Sequence, residues 1–266
     1  MIAVIHLSGW QLLAAAALIL VNAAISLALS LGLGQRLLLA SLRSVVQLTI
    51  LGGVLVWVFS REGPWAVIVM MCVMGIVAGY EAVRRTSHRI RGGYLASQGV
   101  MLFTSLLVTL YGVVGVIGVR PWYTPQYVIP ILGMILGNTL NGISLGLETV
   151  LEGFATRREQ VELLLAHGAT RREASRDVVR RAVRTGMIPI LNSMVAAGLV
   201  SIPGMMTGQI LAGQDPAAAA RYQIFILFSI AGGVALGTMG IVLAATRLAF
   251  DEHERLRTDR IRTVRR

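Results

Sequence analysis

The chain has 266 residues, 55% of them hydrophobic, with a mean hydropathy of +0.72 and a formal net charge of +11. Soluble domains sit nearer about 45–50% apolar and interrupt their apolar runs every few residues, so an ordinary water-soluble fold is excluded. All 24 basic residues are Arg and none is Lys, which also excludes a Walker A phosphate loop and Schiff-base chemistry, both of which need that amine.

Apolar runs long enough to cross a bilayer as helix, about 18 or more residues, recur along the chain. Seven spans are predicted, at 9–31, 37–59, 65–83, 95–118, 127–149, 187–211 and 222–248. The opening stretch Met1–Trp10 lacks a basic n-region and a small-residue cleavage pattern, so no removable signal peptide is read there. In the second span Arg43 and Gln47 lie four apart and share a face. Arg43 is close enough to the inner end to snorkel to the headgroups, and pairing with Glu81 or contact with an anionic group is the functional alternative. Cys72, the sole cysteine, lies in the third span and excludes an internal disulfide.

The fifth span carries Asn138, Asn141, Leu145 and Glu148 at spacings that place them on one helical face. Amides in hydrocarbon must find partners, so interhelical hydrogen bonds are the plain reading and oxygen ligands for a passing cation the sharper one. Asn141 is assigned to the first reading and Asn138 is left between the two. Glu148 falls near the inner mouth, where it either attracts metal or pairs with an Arg of the following connector. The strings Gly133-Met-Ile-Leu-Gly137-Asn138 and Gly204-Met-Met-Thr-Gly208-Gln209 both read G-M-x-x-G followed by an amide. Glycines four apart serve tight helix packing, a paired lining of a central path, or both.

The connector 150–186 holds Ala-Thr-Arg-Arg-Glu twice, at Ala155–Glu159 and Ala169–Glu173. Thr156 with Glu159 and Thr170 with Glu173 both fit the capping box, which predicts helices over 157–167 and 171–185. Gly168 is placed where the first must stop in the left-handed conformation. Val161, Leu164 and Leu165 form a short apolar patch on the first of these helices. It suits docking in a partner's groove or packing against the chain's own bundle.

The sixth span adds Asn192, Met194, Ser201, Met205, Met206 and Gln209, with Pro203 breaking the helix so that freed carbonyls must face protein or water. Thioether sulfur suits soft ions and amide oxygen harder ones, so the mixture assigns no metal. After the seventh span comes a basic stretch, 250–266, expected as a solvated cytoplasmic tail near anionic headgroups rather than as a nucleic-acid arm. Arginine placement orients the bundle. One set of loops holds Arg36, then Arg84, Arg85, Arg89 and Arg91, then the arginines of 157–184 and 247–266. The other holds only Arg61, Arg120 and Arg221. Basic loops face the cytoplasm, so the N-terminus is expected outside and the C-terminus and the 150–186 connector inside. Of the four histidines, His6 is near the outer terminus and His88, His167 and His253 are cytoplasmic; no span holds Asp, and no catalytic constellation is read.

The stretch "EQVELLLAHGATRREASRDVVRRAVRTGMIPIL" resembles the cytoplasmic loop of ABC-transporter permeases, with Glu162, Gly168 and Pro189 at its marker positions. "LRSVVQLTILGGVL", "PILGMILGNTLNGISLGLE" and "PILNSMVAAGLVSIPGMMTGQILAGQDPAAAARYQI" are similar to the FetB-like iron-export permease family, to which plant aluminium-tolerance permeases are related. The likeness covers roughly 35–250. One departure is "ELLLAHGA" where importers commonly show Glu-Ala-Ala, so only the Glu and Gly positions carry over. The resemblance implies a homodimeric membrane permease driven by a separate cytosolic ATPase, with ATP on that partner and no cofactor on this chain.

The expectation is an all-α polytopic transmembrane bundle of about seven spans, one permease domain over 1–266 with a helix-turn-helix coupling region. Contact with the ATPase is expected at Glu159, Glu162, Leu164, Leu165, Gly168 and Ala169. The path is expected along Gln47, Asn138, Asn141, Glu148, Asn192, Met205, Met206 and Gln209, with metal ligands unassigned. The function implied is export of iron or a related metal across a bacterial inner membrane. An ion-driven secondary transporter, which usually carries midplane carboxylates, and a non-transporting scaffold are the alternatives.

Overall fold

A computed structural model describes residues 8–61 and 63–264, so the readings of His6 and of the terminal Arg265 and Arg266 fall outside it. The described chain is helical: α1 (Gly9–Ala28), α2 (Gly34–Phe59), α3 (Pro64–Arg84), α4 (Gly93–Leu110) running into a π-helical turn (Tyr111–Ile117), α5 (Pro125–Thr156), α6 (Arg158–Ala166), α7 (Arg171–Ala196), α8 (Gly204–Leu211) and α9 (Pro216–Ala249). Two short strands, β1 (His88–Ile90) and β2 (Ile261–Thr263), pair antiparallel with Arg89 opposite Arg262. Six helices are long and apolar enough to cross a membrane. The protein is therefore a multi-pass helical membrane protein.

Two compact units divide the chain. In the first, α1 and α2 form a helical hairpin. The Ser26 hydroxyl accepts the Leu33 N–H at 3.0 Å, and Gly34 packs against the Ala23 carbonyl. Neither helix buries much, Ala23 and Ser26 in one and Gly34 and Val58 in the other. Gln47 lies on α2 and is exposed.

The second unit is built on α5, α7 and α9. Their seam is made of glycine and threonine: a methyl added at Gly142 would meet the Thr238 hydroxyl at 2.5 Å, and one added at Gly186 would meet the Gly142 carbonyl at 2.8 Å. Gly146 faces Thr238 and Val242, and Gly233 faces Ile135 and Thr139. These pairings make α5 and α9 parallel and α7 antiparallel to both. Without a hydrophobic force between helices in lipid, such close backbone approach is what holds them together.

The span expected at 187–211 is not one helix. The second helix of the connector does not stop at 185; α7 continues through Pro189 to Ala196, about 39 Å in all at 1.5 Å per residue. Irregular chain follows over 197–203, with Gly198 at φ +82°, and α8 resumes after Pro203. The sixth predicted span is thus two helical pieces, neither of them among the helices long and apolar enough to cross a membrane. The break falls at Pro203 as the sequence reading has it: this proline, with no N–H to donate and a fixed φ, stands directly before the first residue of α8, whereas Pro189 is carried within α7.

The connector differs at its first cap. α5 runs on to Thr156, whose hydroxyl donates to its own helix at the Glu152 carbonyl (2.8 Å), so Thr156 and Glu159 form no capping box and α6 starts from Arg157 without a side-chain cap. The second box is present. The Glu173 carboxylate accepts the Thr170 N–H at 2.8 Å and its hydroxyl at 2.7 Å, while Glu173 N–H points back to that hydroxyl. Gly168 takes φ +86° between the two helices. The backbone bond from Thr170, then its hydroxyl, holds the Glu173 carboxyl below its ordinary value. The folded-state value is therefore depressed. The cap's stabilisation is present above the ordinary glutamate range and is lost as pH falls through the lowered value. Thr170→Ala is expected to cut the hydrogen-exchange protection of the first turn of α7 about fivefold, matching about 1 kcal/mol for an N-cap. Wild-type protection factors, corrected for intrinsic rates, should fall only on acidification below that range.

The C-terminal stretch is not a free tail up to residue 264. Phe250 and Leu256 are buried, and the Phe250 ring stands edge-on to Phe154 at 5.7 Å. Asp251 accepts the N–H groups of His253 and Arg255, which keeps its carboxyl below the usual range, the Arg255 bond being the larger cause. Arg257 is held by both oxygens of Asp259 at 2.9 and 3.0 Å. The stretch carries its own acids and two apolar anchors among its arginines, which lets it fold back and end as β2.

Candidate functional site

At the end of the second unit where α5 and α9 finish and α7 begins, α6 and α7 make an elbow. Val161 is buried (2% exposed), whereas Leu163 and Leu164 are 60% and 47% exposed. The apolar patch read from sequence is therefore split. Val161 turns into the chain's own bundle and Leu165 is half-buried; Leu163, which the sequence reading passes over, joins Leu164 outside. Glu162 is tied to Arg158 on its own helix at 2.7 Å, and Glu159 is exposed in the first turn. Leu165, Gly168 and Ala169 line a groove of about 750 Å³ whose other wall is the C-terminal segment His253–Asp259. Glu254 crosses it to accept the backbone N–H of Arg171 at 3.1 Å.

Above the elbow, the break after α7 opens a second groove of about 560 Å³. Asn138 of α5, Asn192 of α7 and Met205 of α8 all line it, so the fold gathers three residues that lie up to 67 positions apart in sequence. Asn138 donates to the Met134 carbonyl of its own helix at 2.8 Å, which leaves its carbonyl oxygen for the groove. Gln223 of α9 also lines it, with a buried Oε1 that has no partner among the described residues. Sequence reasoning missed Gln223. Its signal was a lone amide about two turns into an apolar helix, too near Arg221 to stand out from an ordinary helix end.

Other expected path residues do not join this groove. Gln209 and Met206 lie on α8 outside its lining, although the Gln209 Oε1 is likewise buried without a partner among the described residues. Asn141 accepts from Arg85 Nη1 of the α3 terminus at 3.0 Å, the interhelical bond assigned to it from sequence. Glu148 pairs with no Arg of the connector. Its Oε2 accepts the N–H groups of Ser87 (2.6 Å) and His88 (3.2 Å), and its Oε1 lies 2.8 Å from His88 Nδ1. With both oxygens engaged, Glu148 fixes the turn that leads into β1. Gln47 belongs to the other unit.

The G-M-x-x-G glycines are not where the chain packs tightly. A methyl at Gly137, Gly204 or Gly208 would have no described neighbour within 4 Å, while the close approaches fall at Gly142, Gly186, Gly233 and Gly237. No group of three or more His, Cys, Asp or Glu that could hold a metal ion is found among the described residues. The groove offers amides, hydroxyls and thioether, a donor set for weak, exchangeable contacts.

The family model described as "Uncharacterised protein family (UPF0014)" matches residues 9–250. The UPF0014 membrane protein slr1647 of Synechocystis is 38% identical over 229 residues, covering 85% of this chain and 87% of that protein. Protein ALUMINUM SENSITIVE 3 of Arabidopsis thaliana is 34% identical over 85% of this chain and 82% of its own length. The probable iron export permease protein FetB of Escherichia coli is 30% identical over 74% of each. These are the relatives that the quoted sequence strings resemble. No solved structure matches the chain significantly.

Proposed function

The chain belongs to the UPF0014 family, and on that footing we propose that it is the membrane subunit of an ABC exporter, moving iron or a related metal species out of the cytoplasm with energy from a separate ATPase. The carrying observation is the continuity of α7. One helix is capped at the elbow by Thr170 and Glu173, runs through the glycine seam at Gly186, and ends at the break beside the Asn138–Asn192 groove. Motion imposed on the elbow by a partner closing on ATP reaches the groove without crossing a flexible joint. The outward Leu163–Leu164 face is the contact for that partner, with Gly168 setting the angle of the turn. A cell-membrane location with the elbow on the cytoplasmic side belongs to the same reading. So does a homodimer, which the open surfaces at Gly137, Gly204 and Gly208 support as close-packing sites for a second copy. The metal is cargo, named by likeness to the probable iron export permease of Escherichia coli.

Reconstitution in liposomes with a candidate nucleotide-binding subunit tests this. Metal-stimulated ATP hydrolysis and metal flux that both require the pair are expected. Flux that persists without the ATPase would point to an ion-driven transporter, and no flux with unchanged hydrolysis would leave a scaffold. For the path, Asn138→Ala combined with Asn192→Ala is expected to lower flux roughly tenfold, equivalent to about 1.4 kcal/mol, while ATPase binding persists. Wild-type flux in the double variant would remove these amides from the path.

A further inference from the structure

A separate pocket of about 560 Å³ lies between the first half of α7 and the last turn of α9. Arg171, Arg172, Arg176 and Arg180 enter it from α7 and Arg247 from α9. The ion pairs of the described residues use other groups, so none of these five guanidinium groups has a carboxylate partner among the described residues. Glu173 is engaged with Thr170 and Glu254 with the backbone of Arg171, and Asp177, between Arg176 and Arg180 on α7, is not part of the lining. Ser175 lines the pocket at 3% exposure. In this pocket α7 and α9 bring arginines at least 67 positions apart in sequence, Arg180 and Arg247 being the nearest pair, to one concavity.

One side of this pocket is apolar. Leu243 lines it, and Leu236 and Met239 continue the same exposed stripe of α9 along the bundle. A ligand that fits both halves has an anionic phosphodiester at the arginines and a hydrocarbon chain on the stripe. We propose that this is a binding site for an anionic phospholipid of the adjoining leaflet. Guanidinium forks match phosphate oxygens two at a time, and basic pockets between helices at the membrane surface hold such headgroups. Free phosphate shares the headgroup chemistry but not the apolar half. The site needs only the placement of α7 and α9 in a bilayer, so it stands or falls apart from transport.

Delipidated full-length protein in detergent, examined by native mass spectrometry, gives the test. With phosphatidylglycerol the wild type is expected to retain lipid at least about tenfold more tightly than with phosphatidylcholine, and high salt should erase the difference. The variant Arg176→Gln/Arg180→Gln/Arg247→Gln is expected to lose that preference. Arg176→Lys/Arg180→Lys/Arg247→Lys, which keeps the charge, should retain most of it. If the Gln variant fails to fold, the wild-type lipid comparison and its salt dependence decide alone. Equal retention of the two lipids, or an unchanged preference in a folded Gln variant, overturns the proposal. Displacement of phosphatidylglycerol by inorganic phosphate at matched ionic strength also overturns it, in favour of a free phosphate site.

Discussion

Gly186→Val is expected to leave little folded protein, and Gly186→Ala to destabilise the bundle by about 1–3 kcal/mol, the range for overpacking a tight interior. A Cβ at 186 falls 2.5 Å from Thr238 Cγ2 and 2.8 Å from the Gly142 carbonyl oxygen. A flexible side-chain tip could swing away, but the second obstacle is backbone and belongs to α5. Relief requires α5 and α7 to separate, and separation forfeits the contacts that bind helices in lipid. Thr238 sits on the third helix of the same seam and is fully buried, so α9 is displaced as well. Gly232→Ala is the internal control, since a methyl there meets no described atom within 4 Å and should leave the protein intact. Fluorescence-detected gel filtration after a heating series would compare the three. A monodisperse, wild-type melting profile for Gly186→Val would show that the seam is softer than drawn.

Gly168→Val and Glu162→Arg are expected to abolish coupling to the ATPase while the membrane bundle stays folded. At φ +86° a β-branched residue is strained by about 1–2 kcal/mol, and no described atom lies within 4 Å of the added methyl to resist a change of path. The turn therefore relaxes to another angle and α6 swings relative to α7, which misplaces Leu163 and Leu164. Glu162→Arg acts differently. It removes the bond to Arg158 and sets two guanidinium groups one turn apart on a nine-residue helix. Transport and metal-stimulated hydrolysis should fall more than about tenfold in both, with gel-filtration profiles unchanged. Normal rates in a stably inserted variant would locate the partner's contact elsewhere.

What the sequence disclosed was set by range. The second capping box, Gly168 and the break at Pro203 are local devices, written within a few residues, and each is where the pattern places it. The glycine seam was not legible because Gly142, Gly186 and Gly237 share no spacing; they meet only once three helices are laid side by side. The G-M-x-x-G strings looked more like packing motifs and are not used so within the chain. Thr156 with Glu159 had the spacing of a cap but sat inside a helix that ran two turns past its apolar end. Glu148 was read as a mouth carboxylate because nothing in its own span hinted that the turn after α3 would bring two N–H groups and an imidazole onto it. The C-terminal arginines Arg255, Arg257 and Arg262 are exposed, as read; what the sequence did not disclose is that Phe250 and Leu256 anchor the stretch and that Asp259 holds Arg257.

The grip on α7 at residue 186 sets a gear ratio. From the first helical residue, Arg171, to Gly186 is about 22 Å, and from Gly186 to Ala196 about 15 Å. α7 is buried at Ala174, Val178, Ala182 and Ile190 as well, but a stiff rod that pivots at its closest contact, Gly186, is a see-saw: its ends travel in opposite directions, the shorter arm by about two-thirds of the longer. Drawing the Arg171 end toward α5 and α9 would therefore swing the Ala196 end away from them, so a single stroke would open the gap beside Asn138.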